Sequence, residues 1–186
     1  IAPFAPPAGS PALTPAIETV NRLRRDVPLR WPTGHFDAML TPIVLEWVRE
    51  AKPRAMFVGF GETDEWAHET DYAHYLQAAH RADAAIAELW TLMQSMPEYH
   101  GRTTFVITAD HGRGDGATGP TDWSSHNART IGSHGIWLAI IGPDVEARGC
   151  VRGGPLLRQA QIAATVAHAV GLDWQREVPA AAERIA

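Results

Sequence analysis

The feature that most constrains this chain is an alternation. Three short, unbroken apolar runs, Ala55–Phe60, Thr103–Ala109 and Ile136–Ile141, stand among longer amphipathic stretches, with no hairpin turn signal between them. Runs of this length, rich in β-branched and aromatic residues and bounded by Pro53, Gly61 and the Gly142-Pro143 step, predict strands buried on both faces. Phe36, Leu40, Ile43, Val44, Trp47 and Val48 recur near a 3.6-residue period and predict a helix over Phe36–Ala51, with Pro42 marking a kink or a late start. A second helix is expected over Tyr72–Met96, its stripe running from Tyr75 to Met93, capped by Asp71 and closed by Pro97. A third is expected over Gln159–Val170, with Gly171 at its C-terminal turn. The sum is an α/β domain with a mostly parallel sheet and helices on both faces. Ligands in such folds sit beyond the carboxyl ends of the strands.

The first fifteen residues hold five of the fourteen prolines, so residues 1–35 read as a Pro-rich linker and the remnant of a truncated N-terminal region, with a short helix at Ile17–Arg25. Residues 36–186 then form the α/β domain. A net charge of -5 without a basic run gives no reason to expect nucleic acid. No apolar run reaches the length of a membrane span. Cys150 is the only cysteine, which excludes an intrachain disulfide. Neither oligomeric state nor location is legible.

The unusual residues collect at the predicted strand ends. Gly61-Glu62-Thr63-Asp64-Glu65-Trp66-Ala67-His68 follows the first strand and Asp110-His111-Gly112-Arg113-Gly114 the second. His126 and His134 precede the third, in a stretch with six glycines between Asp110 and Gly135. Carboxylates and neutral imidazoles are the donors a divalent transition metal takes. An Asp and a His four residues apart can converge on one ion, either from a helical turn or from a tight loop. Adjacent Asp110 and His111, at a strand end, can diverge toward two neighbouring ions. Each piece alone is a turn or a solvated face; their order along one inferred sheet edge is what points to metal. Trp66 and Trp123 flank these donors and are expected to wall a pocket, whereas Trp47, Trp90 and Trp137 are expected in the core. His74 and His80 read as surface or boundary residues of the long helix, His35, His100 and His168 have no matching partner in sequence, and Asp115 and Asp122 take no assignment.

The segments Phe60–His68, Tyr75–Ile86 and Thr104–Gly112, with the closing Ile162–Leu172 helix, together resemble the alkaline phosphatase superfamily. Its members include phosphodiesterases of the nucleotide pyrophosphatase type, cofactor-independent phosphoglycerate mutases and sulfatases. The resemblance implies the C-terminal half of an alkaline-phosphatase-like core that binds two divalent ions, zinc first and manganese as the alternative. It assigns Asp64 and His68 to one ion and Asp110 and His111 to the other, with a later histidine completing the first shell. His126 stands sixteen residues before Gly142-Pro143 and His134 only eight; His126 is preferred. Arg113 is a candidate ligand for the anionic group of the substrate, beside its plainer reading as a surface residue.

The departure from the family pattern is the nucleophile. Nothing before Phe36 offers a strand-end Asp followed by a helix-borne hydroxyl; Thr14, before Pro15, lacks the strand. Cys150-Val151-Arg152 is not a sulfatase signature. The nucleophile is therefore expected upstream of residue 1, leaving this stretch inactive alone. The function implied is hydrolysis of a small-molecule phosphate or sulfate ester. The alternatives are intramolecular phosphoryl transfer and a non-catalytic, metal-stabilised binding module.

Overall fold

The computed structural model describes residues 3–32, 34 and 36–185. It divides into two compact units, Ile1–Thr103 with His111–Gly135, and Thr104–Asp110 with Ile136–Ala186.

The first unit is helical. Helix α1 spans Pro15–Asp26, inside the segment expected to be a linker. Its N-cap is Thr14, whose hydroxyl accepts a hydrogen bond from the Ile17 amide at 3.3 Å while Pro15 begins the helix at no cost in donors. Helix α2, Asp37–Ala51, continues through Pro42, so the late-start alternative fails. Thr41 reinforces that turn by donating its hydroxyl to the Asp37 carbonyl at 3.2 Å. Ile17, Ile43 and Trp47 make one buried cluster between α1 and α2, joined by Phe4, Leu13 and Val20. Helices α3, Glu62–His68, and α4, Tyr72–Ser95, follow. They share a second cluster of Trp31, Trp66 and Ala78 with Phe36 and Tyr75 at its edge. Asp71 caps α4 through the His74 amide at 3.1 Å. Trp66 is thus core rather than pocket wall.

The second unit holds strands β1, Phe105–Thr108, and β2, Leu138–Ile141, and helices α5, Ala160–Ala169, and α6, Trp174–Glu177. The strands pair antiparallel, Phe105 opposite Ile141 and Thr108 opposite Leu138. This corrects the expected mostly parallel sheet. A parallel pair needs a crossover, usually a helix, and the chain between β1 and β2 contains only a single 3-10 turn at Asp122–Ser124. The first expected strand, Ala55–Phe60, is also absent from the sheet among the described residues: residues 55–60 pair with neither β1 nor β2, and Phe57 is 94% exposed. Trp137, expected in the core, is 57% exposed. Helix α5 ends as its sequence predicts: Gly171 adopts φ +81°, its amide donates to the His168 carbonyl at 2.9 Å, and the Leu172 amide donates to that of Ala167 at 2.8 Å. No described helix is long and apolar enough to cross a membrane.

Candidate metal centre

Within the helical unit, α3 presents Asp64 and His68 one turn apart on the same face, which brings His68 Nε2 to 3.4 Å from Asp64 Oδ2. The start of this helix is fixed from outside. Gly61 offers no side-chain cap, and the carboxylate of Asp37, at the first turn of α2, takes its place. Asp37 Oδ1 accepts from the Gly61 amide at 3.0 Å and Oδ2 from the Glu62 amide at 3.2 Å. Glu62 reciprocates by accepting the Asp37 amide at 2.5 Å. Glu62 is only 1% exposed; its other oxygen receives the Arg81 guanidinium and the Trp66 indole N–H, so the buried charge is paired. Burial holds the Asp37 carboxyl above its ordinary value, against the pull of the two amides.

The other donors come from the loop His111–Ser125 and its continuation. Gly112 and Gly114 thread between backbone segments: the Gly112 amide donates to the Ser133 carbonyl at 2.8 Å and the Gly114 amide to that of Ser125 at 3.1 Å. A Cβ at Gly112 would collide with the carbonyl oxygens of Gly132 and Gly135, and one at Gly114 with that of Asp122. This closeness is what sets His111, Arg113 and His126 around Asp64. His111 Nε2 lies 3.6 Å and His126 Nε2 3.5 Å from Asp64 Oδ1. The two imidazoles stack at 3.7 Å with an interplanar angle of 7°. His126 Nε2 is also 2.9 Å from His68 Nε2.

These residues fit a cation. Asp64, His111 and His126 each offer one donor atom within 4.8 Å of the other two, close enough for a single ion to reach all three, with His68 Nε2 beside the second Asp64 oxygen. One carboxylate and two imidazoles are also a donor set suited to zinc. His111 Nδ1 lies 3.1 Å from the Gly112 carbonyl, an acceptor that suits the tautomer in which Nδ1 carries the proton and Nε2 ligates. His126 is held below the usual histidine range, first by burial and then by the neighbouring His111, which favours the neutral form a ligand needs.

His134 is exposed and points Nε2 at the Ala128 carbonyl, 3.3 Å away. Asp110 belongs to the unit of β1, where its carbonyl accepts from Gln159 Nε2 at 2.8 Å. His35 lies outside the described residues. Arg113 Nη2 donates to Asp64 Oδ1, Nη1 reaches the Ser124 carbonyl at 3.4 Å, and the guanidinium stands 6.0 Å from the Tyr75 ring. Trp123 packs tilted on Tyr75 at 5.6 Å and edge-on to Tyr72 at 5.3 Å. Sequence reasoning missed the Arg113–Asp64 pair and the Asp37–Glu62 exchange. Both join residues far apart in the chain, and the only local signal was an unexplained acid on either side of a glycine-started helix.

No curated protein and no solved structure matches this chain. The model of one family does, over residues 35–173, under the description Metalloenzyme superfamily, a family of the alkaline-phosphatase-like group. That match takes in most of the chain and every donor named above, so the chain belongs to the Metalloenzyme superfamily.

Proposed function

We propose that this chain acts in metal-dependent hydrolysis of small-molecule phosphoric or sulfuric esters, using two divalent ions, zinc in preference to manganese. The observation that carries the reading is the convergence of Asp64 with the Nε2 atoms of His68, His111 and His126. Family membership supports the metal-dependent, phosphoryl-transfer part of it. Bound ions would supply Lewis-acid charge, lowering the pKa of an attacking hydroxyl or water and offsetting charge on the leaving oxygen.

The chain's own groups prepare that chemistry. Asp64 contributes the anionic oxygen, and the Gly112 carbonyl, 3.1 Å from His111 Nδ1, helps to orient that imidazole with Nε2 toward Asp64. The Asp37–Glu62 exchange fixes the start of the helix that carries Asp64 and His68. Arg113 brings a planar set of N–H donors to the same carboxylate, where an anionic ester oxygen can be received in bidentate fashion.

The test is metal titration followed by turnover. The purified protein, stripped with chelator and dialysed, is expected to take up zinc, and Asp64→Ala is expected to abolish that uptake while far-UV circular dichroism stays unchanged. A stoichiometry of two supports the full proposal, and one restricts it to the centre around Asp64. Aryl phosphate monoester, diester and sulfate substrates then decide the class of ester by metal-dependent release of the phenol. Zinc binding with no turnover of any of them, even in a longer chain that carries the expected upstream nucleophile, would replace the enzyme by a metal-stabilised binding module, and no zinc binding would overturn the reading.

A further inference from the structure

Asp64 Oδ1 is claimed twice. It lies within 3.6 Å of the Nε2 atoms of His111 and His126, the arrangement that suits a shared cation, and it also receives Arg113 Nη2. A carboxylate oxygen accepts a guanidinium in the plane of its lone pairs, the same directions a metal ion needs. The two claims therefore compete. The Arg113 side chain is 13% exposed whereas that of Asp64 is 37% exposed, so the guanidinium sits on the protein side of the carboxylate, not out in solvent. Its second anchor, a 3.4 Å contact to the Ser124 carbonyl, is weak, and the Tyr75 face offers a cation–π surface 6.0 Å away. A guanidinium with one strong partner, one weak one and an aromatic face nearby has somewhere to go.

Resting on the metal-centre reading above, we infer that Arg113 is an exchangeable counter-ion. It neutralises Asp64, yields the carboxylate to an entering divalent ion, and thereby becomes the receptor for the substrate's oxyanion. The exchange makes anion capture conditional on metal. Until Asp64 is taken, Arg113 is engaged and the local charge offers an anion little. Once it is taken, a cation and a released guanidinium face the same space. By linkage, metal must strengthen oxyanion binding by the same factor as the oxyanion strengthens metal binding.

Zinc affinity measured by competition with a chromophoric chelator reads this directly, in wild type, Arg113→Met and Arg113→Lys. Removing a partly buried competing cation is expected to tighten zinc binding in Arg113→Met by about five- to tenfold, while Arg113→Lys, which keeps the charge, stays within about twofold of wild type. Inorganic phosphate at millimolar concentration is expected to tighten zinc binding more in wild type than in Arg113→Met, because only the former has a guanidinium to release. Should Arg113→Met fail to fold, Arg113→Gln and the wild-type phosphate dependence carry the same decision. Zinc affinity unchanged or weakened in the neutral variants, or a phosphate effect equal in both proteins, overturns the exchange and leaves the metal centre standing. Absence of zinc binding in wild type removes the metal centre and the exchange together.

Discussion

Around Asp64 the decisive quantities are single-atom ones: which nitrogen carries a proton, and which oxygen faces which ring. His126 and His134 differ on that scale although both precede the same strand. His126 is stacked on His111, held below the usual histidine range, and directed at Asp64, whereas His134 is exposed beside the Ala128 carbonyl. Loss of a ligating imidazole is more severe than the ten- to hundredfold cost of losing a supporting group, so His126→Ala is expected to weaken zinc by about a hundredfold or more, with His134→Ala within about twofold of wild type. Isothermal titration of the two variants checks it; equal losses would remove the distinction. The residue types at this centre were legible from the start, because Asp, His and Arg beside apolar runs are conspicuous. Their company was not. That His111 stacks on His126 depends on the backbone approach allowed by Gly112 and Gly114, which leaves no periodic trace in the sequence.

Among the secondary-structure elements, local rules carried far. Helices α2, α4 and α5 fall where 3.6-residue spacing and their closing signals place them, and the Gly171 turn has the hydrogen bonds its position requires. What failed was non-local: β1 and β2 are strands as expected, but their direction is set by the connection between them, and strand–helix alternation elsewhere in the chain misled. The exchange between α2 and α3 was equally invisible, since Asp37 and Glu62 are 25 residues apart. It has a measurable signature. Burial raises the Asp37 carboxyl above its unfolded value, so the native state holds that proton more tightly than the unfolded chain does. Its contribution to stability is therefore greatest below about pH 4 and is lost as pH rises through the raised native value. The stability advantage of wild type over Asp37→Asn is expected to shrink between pH 4 and 7 in urea denaturation, and an advantage that grows over that range would contradict the burial argument.

For the molecule as a whole, the two units are unequal in what they bury. The helical unit contains both large aromatic–aliphatic clusters, with Ile17, Ile43 and Val48 at 2% exposure or less. Among the described residues of the other unit, the buried apolar side chains are those of Ala164 and Ala167, while Leu156 is 81% and Val151 64% exposed. Apolar burial is the main favourable term in folding, so the helical unit, which also carries Asp64, His68, His111 and His126, holds most of the stability. The segment 55–60 lies in that stable unit yet is apolar and outside any sheet, with Phe57 bare. A large apolar side chain left in water favours contact with another copy. Self-association that grows with protein concentration is the expected outcome, and Phe57→Lys is expected to suppress it in light scattering while leaving zinc uptake intact. Stickiness and metal chemistry would then be shown to reside at opposite ends of a single short stretch, Ala55 to His68.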